Sequence, residues 1–432
     1  MTISSSLNAS VTGLGANASR LATISDNIAN AGTYGYKRSD AEFASLVVGA
    51  TPGTYTAGGV SAKIRTDIAA QGALINTRNP LDLAVNGGGM LPVSPVSALG
   101  GATTPELRLM PTGSFDTDAS GLLRTATGFA LMGWPVDASG VTAVRPRDSA
   151  AGLEPVSVGS VMFSAAPTTS VGLGVNLPAG ATVAGASGDA YELPVEYFDN
   201  LGNSQVLTAR FIPDVPAVGA SNAWRLEFDD SASAVSPIAE FDLTFDATTG
   251  SGGSLLSVTP VSGGTYDPAT GEVTITVVRG DIDVTLGPTG FGSALTQLAS
   301  DFAPVRVSKN GTGAGILTGL EFDEGGFLQA VYDTGFRRPV WQVPIVVVPN
   351  PNGLEVKEGP TFGFTQPSGP FYLWDSGDGP AGELTGYALE ESTTDIAAEL
   401  TALIKTQRAY SSNAKVIQTV DEMLQETANI KR

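Results

Sequence analysis

The sequence predicts an α+β multidomain protein whose N- and C-terminal α-helices pair as a coiled-coil core, with antiparallel β-rich domains between them. Three observations predict this fold: a heptad pattern of apolar residues near each end of the chain, and a recurrent Asp and Gly turn motif in the middle. The chain has 432 residues, more than one hydrophobic core usually organises, so two or three domains are expected.

The N-terminal helix is indicated by residues at alternating spacings of four and three, the pattern of a coiled-coil seam. Its positions are Leu7, Val11, Leu14, Ala18, Leu21, Ser25 and Ile28, with Ile24 widening the same face. Ser4, Ser5 or Ser6 is expected to cap its start. Asn30 and Gly32 are expected to end it in the left-handed conformation.

The C-terminal helix repeats this spacing near the other end of the chain. Its positions are Ile396, Leu400, Leu403, Gln407, Tyr410, Ala414, Ile417, Asp421, Leu424 and Ala428. The segment from position 395 onward contains neither Gly nor Pro, so the spacing predicts one helix of roughly 35 residues and about 50 Å. Thr393 or Thr394 is expected to cap it.

Two interpretations differ in what covers the apolar faces of these helices. In one, the helices form an intramolecular hairpin packed on the body of the protein. In the other, which we favour, each helix shows more apolar surface than one partner covers, so other copies complete the packing. The predicted assembly interface consists of Leu7, Val11, Leu14, Leu21, Ile24, Ile28, Ile396, Leu400, Leu403, Ala414, Ile417 and Leu424.

The middle of the chain repeats a short unit in which an apolar residue and Asp precede small residues, Gly and further apolar residues. Examples are "FDTDASGLL", "YDPATGEVTI" and "FDEGGFLQAV". Tight hairpin turns select Asp and Gly, and alternating segments such as "VLTARFI" are typical of half-buried strands. We therefore expect antiparallel barrels or sandwiches.

Two of the turns resemble binding motifs but lack residues that binding requires. Asp116, Asp118, Ser120 and Gly121 resemble the first half of a calcium loop, but Thr127 stands where a bidentate Glu is needed. The segment "NGGGM" at positions 86–90 lacks the Lys and Ser or Thr of a phosphate loop. The first is interpreted as a hairpin turn and the second as a turn, and no metal, cofactor or catalytic residue is assigned.

The composition argues against several function classes. The absence of His and Cys removes Ser-His-Asp and Cys-His catalysis, disulfides and most zinc sites, so a non-enzymatic role is expected. A formal charge of −20 opposes nucleic-acid binding. Neither an apolar stretch long enough to span a membrane nor an ordinary secretory signal is expected from the sequence.

The charge is concentrated in one part of the chain. Positions 147–311 contain 18 acidic and 6 basic residues, which gives −12 of the total −20. The terminal helices are close to neutral by comparison. This distribution indicates an acidic, outward-facing domain inserted into a less charged body.

Three blocks of the sequence resemble the axial proteins of the bacterial flagellum, the family of rod, hook and hook-associated proteins. They are "GLGANASRLATISDNIANAGTYGYKRSDAEF", "TRNPLDLAVNGGG" and the C-terminal "LTALIKTQRAYSSNAKVIQTVDEMLQETANIKR". The acidic insert and the turn "YFDNLGNSQVLTARF" are similar to the hook branch of the family. Two departures are Met90-Leu91, where the family usually has two aromatic residues, and Thr393-Thr394, which replaces an Asn-Val pair.

The resemblance implies that many copies assemble helically into a curved, flexible tube that joins the rotary motor to the filament and transmits torque. Its implied partners are other copies, the rod, hook-cap and hook-filament junction proteins, and the flagellar type III export apparatus, which would make a cleaved signal peptide unnecessary. The implied layers are a helical core of residues 1–31 and 393–432, a linker region of 32–71 and 363–392, an inner β-domain of 72–146 and 312–362, and an outer β-domain of 147–311.

The motif that follows the first helix is expected to direct the chain out of this core. Its residues are Asn27, Ile28, Ala29, Asn30, Thr33, Gly35, Tyr36 and Lys37. Gly32 and Gly35 would permit the turn, and Tyr34 and Tyr36 would anchor it. The alternative functions are a distal rod protein, which is a rigid shaft with the same helices, and an extracellular β-rich adhesin-like module.

Overall fold

The computed structural model describes residues 3–46, 58–99, 106–137, 140–159, 161–290 and 294–430. The chain divides into two compact units. The first contains Met1–Ser160, Gly319–Ala330 and Arg337–Arg432, and the second contains Val161–Thr318 and Val331–Phe336. Each unit is therefore assembled from segments that are separated in the sequence.

Both expected helices are present and belong to the first unit. Helix α1 is Ile3–Ala29, and helix α2 is Ile396–Ile430, whose 35 residues confirm the expected length. The serine cap is wrong, because Ser5 and Ser6 lie inside α1 and Ser5 is buried there. Four short 3-10 helices lie elsewhere in the described residues, at Val96–Ala98, Ala179–Thr182, Pro351–Gly353 and Gln366–Ser368.

The cap expected for α2 is also wrong. The Asp395 carboxylate accepts hydrogen bonds from the backbone N–H groups of Ala397 and Ala398, at 2.8 and 3.2 Å. The positive end of the helix dipole also stabilises a negatively charged carboxylate at this position, whereas a neutral Thr hydroxyl gains less from it. Thr393 instead accepts a hydrogen bond of 2.8 Å from the backbone N–H of Arg38.

The strands of the first unit come from both ends of the chain. The early strands are β1 Ser39–Ser45, β2 Val60–Thr66, β3 Leu74–Asn76, β4 Asp82–Asn86, β5 Leu91–Pro95, β6 Arg108–Met110, β7 Thr112–Thr117, β8 Leu123–Thr125, β9 Phe129–Pro135 and β10 Glu154–Pro155.

The strands of the second unit follow in one block. They are β11 Phe163–Ala166, β12 Ser170–Pro178, β13 Tyr191–Phe198, β14 Ser204–Pro213, β15 Ala223–Asp230, β16 Ala239–Phe245, β17 Leu255–Ser262, β18 Gly264–Asp267, β19 Glu272–Val277, β20 Gly280–Thr285, β21 Leu295–Leu298 and β22 Ala303–Lys309.

The remaining strands lead back into the first unit. Strands β23 Thr312–Phe322 and β24 Phe327–Tyr332 each contribute residues to both units. The late strands of the first unit are β25 Arg337–Gln342, β26 Ile345–Val347, β27 Glu355–Val356, β28 Phe362–Gly363, β29 Tyr372–Trp374, β30 Glu383–Gly386 and β31 Ala388–Glu390.

Antiparallel pairs between early and late strands hold the first unit together. Strand β3 pairs with β31, and β4 pairs with both β7 and β30, so the chain that enters α2 lies beside strands that follow α1. Met90 and Leu91, which depart from the usual aromatic pair, are both buried, so aliphatic side chains fill this position.

The second unit contains two sheets that share one hydrophobic core. One is the antiparallel series β13-β14-β15-β16-β17, and the other has the order β18-β19-β20-β12-β21 with β22 paired to β12. Alternate side chains from both sheets meet in a single cluster that includes Phe211, Trp224, Phe241 and Val277. This arrangement confirms the expected β-rich middle.

The expectation of antiparallel pairing fails at one strand. Strand β12 pairs in parallel with β20 and β21, and antiparallel with β22. Parallel neighbours need a long crossover, and here the whole sheet β13–β17 lies between β12 and its partners in the sequence. Hairpin signals in the sequence report only connections between consecutive strands.

The Asp116–Gly121 segment is a hairpin turn, whereas the segment at positions 86–90 is a turn between two strands that do not pair with each other. The Asp118 carboxylate accepts hydrogen bonds from the backbone N–H groups of Ser120 and Leu122 between β7 and β8, with Gly121 at φ +82°. The segment at positions 86–90 connects β4 to β5.

Candidate functional site at the terminal helices

Helices α1 and α2 lie side by side and run in opposite directions. A Cβ atom placed on Gly13 would lie 2.8 Å from the Asn413 Nδ2 atom, whereas Asn17 and Arg20 lie beside Ala402 and Thr406. The residue numbers therefore rise along α1 as they fall along α2. Glycine at position 13 permits this close approach, because any other side chain would displace Asn413.

The buried faces of the two helices are built mainly from small and polar residues. On α1 they are Ser5, Ser10, Gly13, Ala16, Asn17, Thr23, Ile24 and Asn27, and on α2 they are Glu399, Thr406 and Val420. The β1–β2 hairpin also covers α1, since the backbone N–H of Val60 donates to the Thr12 hydroxyl at 3.2 Å. Within one chain, α1 is thus held largely by close approach and hydrogen bonds.

The apolar seam expected from the sequence lies mostly outside this buried face. Val11 is 52% exposed and Leu400 is 46% exposed, and Ile396 and Leu424 are similarly uncovered. Of the remaining eight positions of the twelve-residue predicted interface, seven are half-buried and one, Ile24, is fully buried. The half-buried positions are Leu7, Leu14, Leu21, Ile28, Leu403, Ala414 and Ile417. A single chain therefore leaves much of its heptad surface in contact with solvent.

The chain leaves α1 through a compact turn, which we call the exit segment, residues 30–38. Backbone N–H groups of Asn30, Thr33 and Tyr36 donate to carbonyls three or four residues earlier. Asn30 and Gly32 are not in the left-handed region, so their expected role is wrong; that conformation occurs at Gly35, with φ +71°. Ile28 and Ala29 complete the last turn of α1.

Tyr36 anchors the exit segment to the end of α1. Its hydroxyl lies 3.2 Å from Asp26 Oδ2 and 3.1 Å from Asn27 Oδ1, and can donate to either. Burial and the neighbouring Asp26 carboxylate raise the pKa of Tyr36 to about 12. Asn27 in turn exchanges two hydrogen bonds with the backbone of Ser39, at 2.7 and 3.0 Å. Tyr34, expected as a second anchor, is exposed and does not serve as one.

Lys37 joins the exit segment to the chain that enters α2. Its Nζ atom donates to Glu390 Oε1 at 2.6 Å and to the carbonyl of Ala70 at 2.6 Å. The side chains of Lys37 and Glu390 are each only 3% exposed. The same Glu390 oxygen accepts the backbone N–H of Gly72 at 2.6 Å, and the backbone N–H of Gly35 donates to the Glu390 carbonyl at 2.8 Å.

A second ion pair lies one residue further along. Arg38 Nε donates to Glu399 Oε1 at 2.5 Å, and the Glu399 side chain is almost fully buried. Glu399 is in the first turn of α2, so this pair connects the exit segment directly to that helix. Both chain ends are therefore fixed to each other where they leave the helical pair.

The sequence did not indicate Glu390, Glu399 or Asp395. The Lys37–Glu390 pair left no local signal, because its two residues are 353 positions apart in the sequence. Asp395 immediately precedes the first apolar residue of α2, and Asp is a better N-cap than Thr. For Glu399 no local pattern distinguishes a buried acid from a solvated one.

Neither a candidate metal centre nor a membrane-spanning helix is found among the described residues. They contain no group of three or more His, Cys, Asp or Glu side chains placed to hold a metal ion. No helix formed by them is long and apolar enough to cross a membrane. What the arrangement offers is a pair of partly uncovered apolar helices and a rigid connection to the β-structure.

Three segments match known protein families. Residues 7–37 match the family described as flagella basal body rod protein, residues 386–430 match flagellar basal body rod FlgEFG protein C-terminal, and residues 172–312 match flagellar basal body protein FlaE D2 domain. The first two matches cover most of α1, the exit segment as far as Lys37, Glu390 and all of α2.

Full-length relatives extend this similarity over the whole chain. The sequence is 34% identical over 441 residues to the flagellar hook protein FlgE of Rhizobium meliloti (strain 1021), with 100% of each chain covered. It is 32% identical over 438 residues to the flagellar hook protein FlgE of Brucella suis biovar 1, again with 100% of each covered. A solved structure of Helicobacter pylori flagellar hook protein FlgE2 has a TM-score of 0.48 at 13% identity, covering 73% of this chain and 100% of that chain.

Proposed function

The chain belongs to the family of flagellar hook proteins, and on this premise we propose that its terminal helices form the packed core of the helical hook polymer. The observation that carries the proposal is the position of the apolar seam. Val11, Ile396, Leu400 and Leu424 remain exposed in one chain, although heptad spacing is the pattern of helices that pack against others. Other copies of the chain are the partners that would cover them.

The energetic argument follows from exposed area. Burying a Leu or Ile side chain completely stabilises an assembly by ~1.5–3 kcal/mol, so covering the exposed half of each seam residue contributes roughly 1 kcal/mol. This contribution recurs at every subunit. A contact between different surface patches repeats without closing, which is how an open helical polymer grows.

The exit segment would fix the direction in which each subunit leaves this core. Lys37 with Glu390, and Arg38 with Glu399, join the two chain segments next to the helices. A buried, hydrogen-bonded ion pair has one geometry, because separating the charges in a place without water is unfavourable. We propose that this geometry transmits torque from the helical core to the β-structure.

We further propose a layered subunit, with the boundaries expected from the sequence. The helical core would contain residues 1–31 and 393–432, the linker 32–71 and 363–392, the inner β-domain 72–146 and 312–362, and the outer β-domain 147–311. The β1–β2 hairpin beside α1 and the Lys37–Glu390 pair support a linker next to the helices. The −12 charge of positions 147–311 supports an outermost position.

Bending of the hook would then require outer domains that slide past one another while the core stays intact. A charged, weakly adhesive outer surface favours such sliding. The proposed partners are further copies along the tube, the rod protein at one end, and the hook-cap and hook-filament junction proteins at the other. The proposed route to the cell exterior is the flagellar type III export apparatus, for which a chain without cysteine avoids disulfide traps before export.

The proposal is tested by polymerising the purified chain and examining it by electron microscopy. Curved tubes are expected. Straight shafts would favour the rod alternative, and the absence of polymer under all conditions would contradict the assembly role.

Two aspartate variants separate assembly from folding. Leu400→Asp places a carboxylate on the exposed seam, so the free energy of unfolding of the monomer should stay within ~0.5 kcal/mol of wild type. Polymer should nevertheless be lost, because assembly would bury the unpaired carboxylate. Val277→Asp places a carboxylate in the core of the second unit and should lower the melting temperature of the monomer itself. If Leu400→Asp melts as poorly as Val277→Asp, this part of α2 belongs to the folded interior and the core assignment fails.

A further inference from the structure

An open groove lies between α1, β1 and the first half of α2. It has a volume of about 850 Å³. Its α2 side consists mainly of small residues, with Ala398, Ala402 and Ala409 among them, and its other side contains Arg20 and Phe43. The Arg20 guanidinium carbon lies 5.6 Å from the centre of the Phe43 ring. We call this the receptor groove.

The receptor groove carries positive charge that the chain leaves unpaired. Within the described residues, Arg20 Nε is buried without a hydrogen-bond partner. Lys405, which lines the groove, and Arg408, on the next turn of α2, make no ion pair within the described part of the chain. The one acid that lines the groove, Asp395, is engaged in capping α2. An occupant that brings carboxylates would complement these cations.

The second half of α2 has the complementary features. Residues Ala402, Ala409, Val416 and Met423 are spaced seven apart and so form one row along α2. The first two are small and line the groove, whereas the last two are large and exposed. Acids outnumber bases in this half of α2: positions 413–430 contain Asp421, Glu422 and Glu426 and one base, Lys415.

We infer that Val416 and Met423 of one copy of this chain dock in the receptor groove of a second copy, against its Ala402 and Ala409. The inference rests on the proposed polymerisation and specifies which surfaces of two neighbouring copies meet head to tail. Large side chains then meet small ones at every position of the row, as knobs fill holes between packed helices. Asp421, Glu422 and Glu426 of one copy then bring negative charge toward the cations at the groove of the neighbouring copy.

This contact joins different patches of identical chains, so it does not close on itself. A shift of 14 residues brings Met423 to the position of Ala409, which corresponds to about 21 Å along the helix. Each copy offers one receptor groove and one docking row, so the contact extends without limit. The same helix therefore carries both halves of the connection.

The absence of native cysteine makes disulfide cross-linking a direct test. The double variant Ala409→Cys with Met423→Cys is polymerised and then oxidised. Within one chain these positions are about 21 Å apart, whereas a disulfide requires Cα atoms within about 7 Å, so only copies in the docked arrangement can be joined. A ladder of covalent multimers on a denaturing gel is the expected result.

Matched variants identify the origin of any ladder. Each single cysteine variant can form at most dimers. Ser411→Cys with Met423→Cys uses an exposed position on the opposite side of α2 from Ala409 and should not give a ladder. If the Ala409→Cys and Met423→Cys double variant forms normal tubes but no ladder, the inference is overturned and the proposed function stands. If the wild-type chain fails to polymerise, the proposed function itself is contradicted.

Charge reversal provides a second test that does not depend on cysteine. Lys405→Glu with Arg408→Glu, and separately Glu422→Lys with Glu426→Lys, should each lower polymer yield about tenfold or more, because like charges would meet in the contact. The quadruple variant should recover polymer. Equal loss in all three variants, with monomer melting unchanged, overturns the inference.

Discussion

Replacing Lys37 by methionine is expected to destabilise the first unit by ~3–5 kcal/mol, because it leaves the buried Glu390 carboxylate without a counter-charge. The two side chains are 2.6 Å apart and each is 3% exposed, so water cannot replace the lost partner. The Glu390 carboxylate would keep the hydrogen bond from the backbone N–H of Gly72, which carries no full charge. A shift of about 2–4 °C per kcal/mol is typical of domains this large, so the melting temperature should fall by ~10 °C.

The assay is thermal and urea unfolding followed by tryptophan fluorescence. Three of the four tryptophans, Trp134, Trp341 and Trp374, belong to the first unit, so the signal reports mainly on it. Because the chain has two units, the transitions are to be fitted separately rather than as one two-state process. A polymer-yield measurement on the same variant shows whether the exit segment is needed for assembly.

Arg65→Met is the matched control, since it removes a cation from an exposed ion pair. Arg65 and Glu42 are 3.4 Å apart with side chains 55% and 59% exposed. Such surface pairs contribute ~0–1 kcal/mol. If Lys37→Met is no more destabilising than Arg65→Met, the Lys37–Glu390 pair does not hold the two chain segments together.

Three further predictions concern the same region. The pKa of Tyr36 is raised to about 12 in the folded chain from an ordinary value near 10, so its contribution to stability should be complete below pH 10 and lost as the pH rises toward 12. The free energy of unfolding of Tyr36→Phe should lack this loss between pH 10 and 12. Identical alkaline profiles for the variant and the wild type would contradict the prediction. Gly35→Ala should destabilise the first unit by at least ~1 kcal/mol, since φ is +71° and an added Cβ would lie 3.0 Å from two side chains. Gly32→Ala is the control, because a Cβ there would meet nothing within 4 Å, and it should leave the urea unfolding curve nearly unchanged. Asp395→Ala should reduce stability by ~1 kcal/mol through loss of the α2 cap, and an unchanged melting curve would assign the cap elsewhere.

The heptad spacing was enough to predict both helices and the length of α2, because helix formation depends on neighbours three and four residues away. Asp and Gly likewise indicated the hairpin turns, since those conformations are decided within four residues. The resemblance of "DNIANAGTYGYKR" to flagellar axial proteins pointed to the family that the full-length relatives then showed. These properties are local, or are carried by short contiguous motifs.

Only the tertiary structure decided which side of each helix is buried and what the motif residues contact. The sequence placed Val11 and Leu400 in a packed seam, but in one chain Gly13, Asn17 and Thr406 occupy the buried faces. Lys37 meets Glu390 across 353 residues of sequence, and β12 pairs with strands that follow an entire intervening sheet. The physical reason is that periodicity fixes an element from its own residues, whereas burial, ion pairing and parallel pairing depend on groups that the fold brings together from distant parts of the chain.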